Sequence, residues 1–199
     1  MVSKFDVILK SIKESPKKVR MLPKQDERLI AIEERYSINA ESTLGAIVYN
    51  TGGIIIDEWI RIYGSGELDF AERNVLFPFD EIVVGEDILG GLFIILERGN
   101  VAYFAPDTLE IEDMEISFGQ FVTWCIQGDT DTFYMDYRWE HWQKDVENLE
   151  LSYGMAFYPY LRAVTESLER RHREPIPMKE IIGLEIDFFQ QTREFLKSF

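Results

Sequence analysis

Gly99-Asn100 stands between two apolar runs, residues 92–96 and 101–104, and this arrangement constrains the fold more than any other feature of the chain. The pair is a hairpin signal, because its first residue is free to take the left-handed backbone that a tight turn needs. The two runs are therefore predicted to be antiparallel neighbours. Ile54-Ile55-Ile56 is a continuous apolar run, as in a strand buried on both faces. Residues 59–63 alternate, with Ile60 and Ile62 facing one way and Trp59, Arg61 and Tyr63 the other. Residues 81–84 read as a strand joined to 92–96 through a glycine-bearing link, and residues 109–112 alternate like a half-solvated strand.

Helices are expected around this sheet. Ser117 and Gln120 have capping-box spacing, and Phe118, Phe121, Val122, Cys125 and Ile126 follow in one apolar stripe that Gly128 closes. Ser3 with Asp6 opens a helix that Pro16 ends, and Asp26 and Ser42 are placed to cap two more. Residues 129–149 read as one or two helical pieces, and residues 155–158 as a last strand. Pro175 and Pro177 precede a C-terminal helix with Ile186, Phe189, Phe195 and Leu196 among its apolar positions. Residues 17–24 read as a connection and residues 67–80 as mixed, with Pro78 arguing against a central strand. The expected class is α+β: a central, mostly antiparallel β-sheet over about residues 53–112, flanked by helices, in a single domain spanning 1–199 whose core is about 42–150.

Charge narrows the function. The formal net charge is −15, yet residues 1–24 carry seven Lys and Arg against two acids. From Gly99 to Tyr137 there is no Lys, Arg or His, and eight acids: Asp107, Glu110, Glu112, Asp113, Glu115, Asp129, Asp131 and Asp136. That field repels phosphate, so nucleic acid and anionic lipid are not expected partners; it argues for a basic partner or for none. The apolar runs fall far short of the roughly 20 residues that cross a bilayer, and the start lacks a secretory pattern, so the expected compartment is the cytoplasm.

Catalytic and metal signatures are weak. One cysteine and two separated histidines, His141 and His172, give no zinc set, and Asp129 with Asp131 lacks the rest of a calcium loop. Neither metal nor cofactor is expected. The glycine-rich pieces fit no phosphate loop or nucleophile elbow. Phe133, Tyr134, Tyr137, Trp139 and Trp142 fall within ten residues of one another, beside Arg138. Such rings serve either a core or a protein-binding patch.

Three segments, WIRIYGSG from Trp59, DILGGLFIILERGNVAYFAPDTLE from Asp87 and FYMDYRWEHW from Phe133, resemble the bacterial domain-of-unknown-function family numbered 2625. More distantly, residues 85–121 resemble the SUKH superfamily of Smi1/Knr4-like domains, departing from it at Gly91, where those domains often carry an acid. Many bacterial SUKH domains resemble or are immunity proteins that neutralise toxins by binding them. The resemblance implies a SUKH-like fold and non-enzymatic protein binding, with a basic toxin as the partner. Glu110, Glu112, Asp113, Tyr137, Trp139 and Trp142 are the candidate binding residues. The rival expectation is a small-molecule or carbohydrate site, with or without chemistry, in a pocket near Trp59, Arg61 and Tyr63.

Overall fold

The computed structural model describes residues 3–78, 80–163 and 167–197, except the side chains of residues 193–197. In chain order the elements are α1 (Lys4–Lys13), β1 (Val19–Met21), α2 (Asp26–Arg35), α3 (Thr43–Asn50), β2 (Gly53–Ile56), β3 (Ile60–Tyr63), α4 (Phe70–Val75), β4 (Ile82–Asp87), β5 (Leu92–Ile95), β6 (Asn100–Phe104), β7 (Ile111–Ser117), α5 (Phe118–Gln127), α6 (Thr130–Phe133), α7 (Trp142–Val146), β8 (Tyr153–Tyr158), β9 (His172–Pro177) and α8 (Met178–Lys197). The class is α+β, as the sequence predicts. Seven strands form one sheet in the order β1 to β7, every pair antiparallel, and β8 with β9 makes a separate two-stranded ribbon.

The sheet is covered on both faces. Ile62 lies opposite Gly85, Gly85 opposite Phe93, and the Phe93 ring packs 4.5 Å from Phe121 of α5. On that face α5 packs with α1 and α3, and the stripe of Phe118, Phe121, Val122, Cys125 and Ile126 is wholly buried. The Ser117–Gln120 capping box forms as the sequence predicts, and so does the Ser3–Asp6 box of α1. The other face holds Arg61, Glu86 and Phe104, with the Phe104 ring 5.5 Å from Phe189 of α8. Phe195 and Leu196, also expected on the apolar side of α8, lie outside the described side chains.

Several local expectations are corrected. Within residues 17–24, read as a connection, Val19–Met21 is the edge strand β1. Its own sequence has no strand pattern; long-range contacts hold it. The β2–β3 hairpin turns on Asp57 and Glu58, both at φ 54, and these acids reach back to β1. Asp57 Oδ1 accepts the Lys18 amide at 3.0 Å, while Glu58 pairs with Lys18 at 3.2 Å and Arg20 at 2.9 Å. Burial alone would raise the Glu58 pKa, but those two cations outweigh it and hold it below the usual carboxylate value.

Within residues 67–80 lies α4, capped by Asp69, whose Oδ1 accepts the Glu72 amide at 2.7 Å. Asp26 is the first residue of α2 and not its cap, which is Gln25. The strand expected at 109–112 begins at Ile111 and runs to Ser117, because Leu109 turns the chain at φ 58 with its side chain buried. Residues 155–158 are not the last strand either. They belong to β8, and β9 follows with Pro175 and Pro177 inside it. Proline has no amide to give a ladder, but each strand of a two-stranded ribbon has a free edge on which that lack costs nothing.

Candidate functional site

The expected acidic surface is built on β7, the terminal strand of the sheet. Glu110 and Glu112 are exposed, and neither has an ion-pair partner among the described residues. Glu115, beyond them, is exposed as well. Asp113 behaves differently. It is half-buried and pairs with Arg98, and the Asn100 side-chain amide reaches both its oxygens at 3.3 Å. Its Oδ1 also accepts the Glu115 amide at 2.6 Å, stabilising a backbone at φ 58. Arg98 lies just outside the cation-free stretch and folds back into it. Asp113 thus braces the β6–β7 hairpin, leaving the three glutamates as the free acids.

The expected aromatic half of that surface lies elsewhere. Trp139 and Trp142 are 2% and 9% exposed, and Tyr137 is half-buried. Their function as packing is visible in the contacts. Trp59, at the end of the β2–β3 turn, meets Trp142 at 4.9 Å, Tyr134 at 5.4 Å and Trp139 at 5.7 Å. Arg138 lies over three of these rings, 4.4 Å from Trp142, 5.1 Å from Trp59 and 5.3 Å from Tyr134, and pairs with Asp131. Burial lowers the Arg138 pKa and Asp131 opposes that. The ring faces supply electron density to N–H groups that have no conventional acceptor. Trp139 Nε1 donates to Asp145 at 2.7 Å. The rings are therefore spent on covering Trp59, and the expectation of exposed aromatic anchors at Trp139 and Trp142 does not hold.

The rival pocket residues are also buried. Trp59, Arg61 and Tyr63 are each at most 1% exposed, so none of them presents a surface to a solute. Trp59 belongs to the ring cluster. Arg61 and Tyr63 converge on Glu86, which lies directly across from Arg61 on β4. Tyr63 donates to Glu86 Oε2 at 2.8 Å, and Arg61 Nη1 lies 3.4 Å from Oε1. The same guanidinium donates to the carbonyls of Tyr153 at 2.8 Å, Leu151 at 3.0 Å and Glu150 at 3.4 Å. Arg73 of α4 joins from the other side, 3.4 Å from Glu86 Oε1 and 3.2 Å from the Leu151 carbonyl. Desolvation pulls the Arg61 pKa down, and Glu86 is the chief opposing influence. Above this network a cleft of about 740 Å³ opens, lined by Arg28, Arg73, Glu150, Ser152, Tyr153 and Lys179 among others. Sequence reasoning pointed to Arg61 through strand alternation. It missed Glu86 and Arg73, whose only relation to Arg61 is made by the fold.

A second buried carboxylate organises the Gly90-Gly91 turn. Asp87 Oδ1 accepts the amides of Leu89 at 2.9 Å and Gly91 at 3.1 Å, and Oδ2 accepts the phenols of Tyr103 at 2.7 Å and Tyr134 at 3.1 Å. Burial raises the Asp87 pKa against the pull of those four donors. A Cβ at Gly91 would collide with Tyr103 Oη and Asp87 Oδ2. That collision is the physical reason this position carries no acid. Nearby chemistry is sparse. Burial pushes the Cys125 thiol well up, which removes it as a nucleophile, and His141 and His172 are exposed. Among the described residues no group of three or more His, Cys, Asp and Glu is placed to hold a metal ion, and no helix is long and apolar enough to cross a membrane.

Comparison with known proteins agrees with the resemblance drawn from the three segments. The family model described as protein of unknown function DUF2625 matches residues 2–181, and the chain belongs to that family. It is 30% identical over 193 residues to the putative uncharacterized protein YbfG of Escherichia coli (strain K12), a match spanning 90% of this chain and 88% of that protein. It is also 30% identical over 138 residues to an uncharacterized protein of Haemophilus influenzae, covering 60% of each. No solved structure matches.

Proposed function

We propose that this member of the family is a non-enzymatic protein-binding domain that captures a basic partner on β7. The observation that carries the reading is the placement of Glu112 and Glu115, exposed on the terminal strand of the sheet, with Glu110 exposed at the residue just before it. Ile111, 41% exposed on the opposite face of the strand from Glu112, adds apolar surface that a segment laid along this edge would cover. A terminal strand also offers an unpaired edge of backbone donors and acceptors, to which an extended segment can add. A basic toxin neutralised by an immunity-type protein is the partner that the SUKH resemblance implies. The compartment that goes with this reading is the cytoplasm.

The experiment has two stages. Crosslinking in the native cell, followed by mass spectrometry, identifies a partner and the residues it touches. Stopped-flow association is then compared for the wild type and the Glu110→Lys/Glu112→Lys double variant. Acids that steer a basic protein act on the on-rate, so the variant is expected to associate at least about tenfold more slowly at low salt, with a flatter salt dependence. Ile111→Ala is expected to raise the off-rate. Wild-type rates in both variants would show that β7 is a solvated edge and not the binding surface.

A further inference from the structure

We infer that the cleft above Arg73 is a binding site for a small carboxylate, independent of the protein-binding reading. The argument starts from the charge count beneath the cleft. Arg61 and Arg73 both approach the Oε1 atom of one carboxylate, Glu86, at 3.4 Å. Glu86 is fully buried, and its other oxygen is taken by the neutral Tyr63 phenol. Among these three groups, two guanidinium ions against one carboxylate leave one positive charge in excess, and it falls on Arg73, whose side chain is 12% exposed. Arg61 Nη1 and Nη2 otherwise donate to main-chain carbonyls at 150–153, which carry no net charge, and its buried Nε has no hydrogen-bond partner among the described residues. An anion supplied from outside would complete an alternating cluster of two cations and two anions.

Arg73 is the group that can receive it. Its Nη2 is held by Glu86 and the Leu151 carbonyl. Its Nε and Nη1 make no protein hydrogen bond among the described residues, and neither is a buried, unpartnered atom. They therefore open on solvent, and the solvent space that Arg73 borders is the cleft. Nε with a terminal nitrogen is the edge of a guanidinium that takes a carboxylate through two parallel hydrogen bonds. Arg28, in the same lining, is already bound to Asp69 at 3.0 Å and Glu72 at 2.9 Å and is not available. Arg73 is held from behind by Glu86 and Leu151, so little side-chain freedom is lost when a ligand binds.

The rest of the lining selects among anions. Glu67, Glu72 and Glu150 border the same cleft, Glu72 already paired with Arg28, and would repel a dianionic phosphate. They suit instead a single carboxylate with an ammonium beside it, as on an α-amino acid. Lys179, Ser152 and Tyr153 complete the polar rim.

The test is a titration of the isotope-labelled full chain followed by amide chemical shifts, with glycine, acetate and inorganic phosphate as separate probes. Glycine and acetate are expected to shift the Ser152 and Tyr153 amides saturably at millimolar concentration, glycine more tightly, with phosphate at least about tenfold weaker. Arg73→Gln is expected to abolish the shifts. If that variant fails to fold, Arg73→Lys keeps the charge and loses the planar fork, and an affinity about tenfold lower is expected. No saturable shift at residues 150–153 up to roughly 50 mM probe would overturn the site. So would shifts that survive unchanged in the folded Arg73 variants. Phosphate binding as tightly as acetate would overturn the assignment to a carboxylate.

Discussion

Replacing Glu185 by Gln is expected to remove most of a pH dependence built into the docking of α8. Glu185 lies on the buried side of that helix, 6% exposed, and its Oε2 has no hydrogen-bond partner among the described residues. Burial is the main influence on its carboxyl; Asp107 adds repulsion, Arg162 opposes, and the net effect lifts the pKa from 4.5 to about 7. In the unfolded chain the group titrates near its ordinary value. Between those two values the folded state holds a proton that the unfolded state has released. Stability from this group is therefore fully present below about pH 4.5 and is lost as pH rises through about 7. At 1.36 kcal/mol per pKa unit, a displacement of this size corresponds to about 3 kcal/mol at most. Glutamine has the same shape and no charge to desolvate. The assay is urea denaturation of the wild type and Glu185→Gln between about pH 5 and pH 8.5. The wild type is expected to fall relative to the variant across that range by up to about 3 kcal/mol, most steeply between about pH 5 and pH 6.5, and to level off above about pH 7.5. Other buried acids, Asp87 among them, contribute to both proteins and cancel in the difference. Parallel pH profiles would refute the reasoning, because they would mean that Glu185 is solvated or compensated in the folded state.

Three further outcomes are expected. Phe121→Ala removes a fully buried ring that touches Phe93, Phe118 and Trp124, and it should lower the unfolding free energy by about 3–5 kcal/mol in a denaturant titration. Tyr103→Phe takes away the shortest of the four donors to Asp87 and should cost about 1–3 kcal/mol by the same measurement; an unchanged midpoint would show that the carboxylate is satisfied without it. With a net charge of −15 and its aromatic cluster turned inward, the protein should show no salt-sensitive, submicromolar binding to single-stranded DNA or RNA in a gel-shift titration.

Elements whose signals lie within a few residues of one another were legible in the sequence. A serine three residues ahead of an acid or amide, followed by an apolar stripe, is complete information for α1 and α5, because cap and stripe act inside two helical turns. Gly99 takes φ 88 at the hairpin expected there, for the same local reason. The α+β class followed from adding such pieces. Tertiary structure alone decided what depends on a partner far along the chain. β1 has no strand pattern and exists because Glu58 and Asp57 hold Lys18 and Arg20 beside β2. Alternation correctly put Arg61 opposite Ile60 and Ile62, but it could not say that the other face is also covered, so that Arg61 would be buried against Glu86 and the carbonyls at 150–153. The rings of 133–142 could be read as core or surface from their spacing, and the need to cover Trp59 chose the core. The acids of β7 were legible as charge, yet only the hairpin geometry separated Asp113, neutralised by Arg98, from the glutamates left free. Burial and pairing are properties of two segments at once, and a pattern read along one segment carries only half of each.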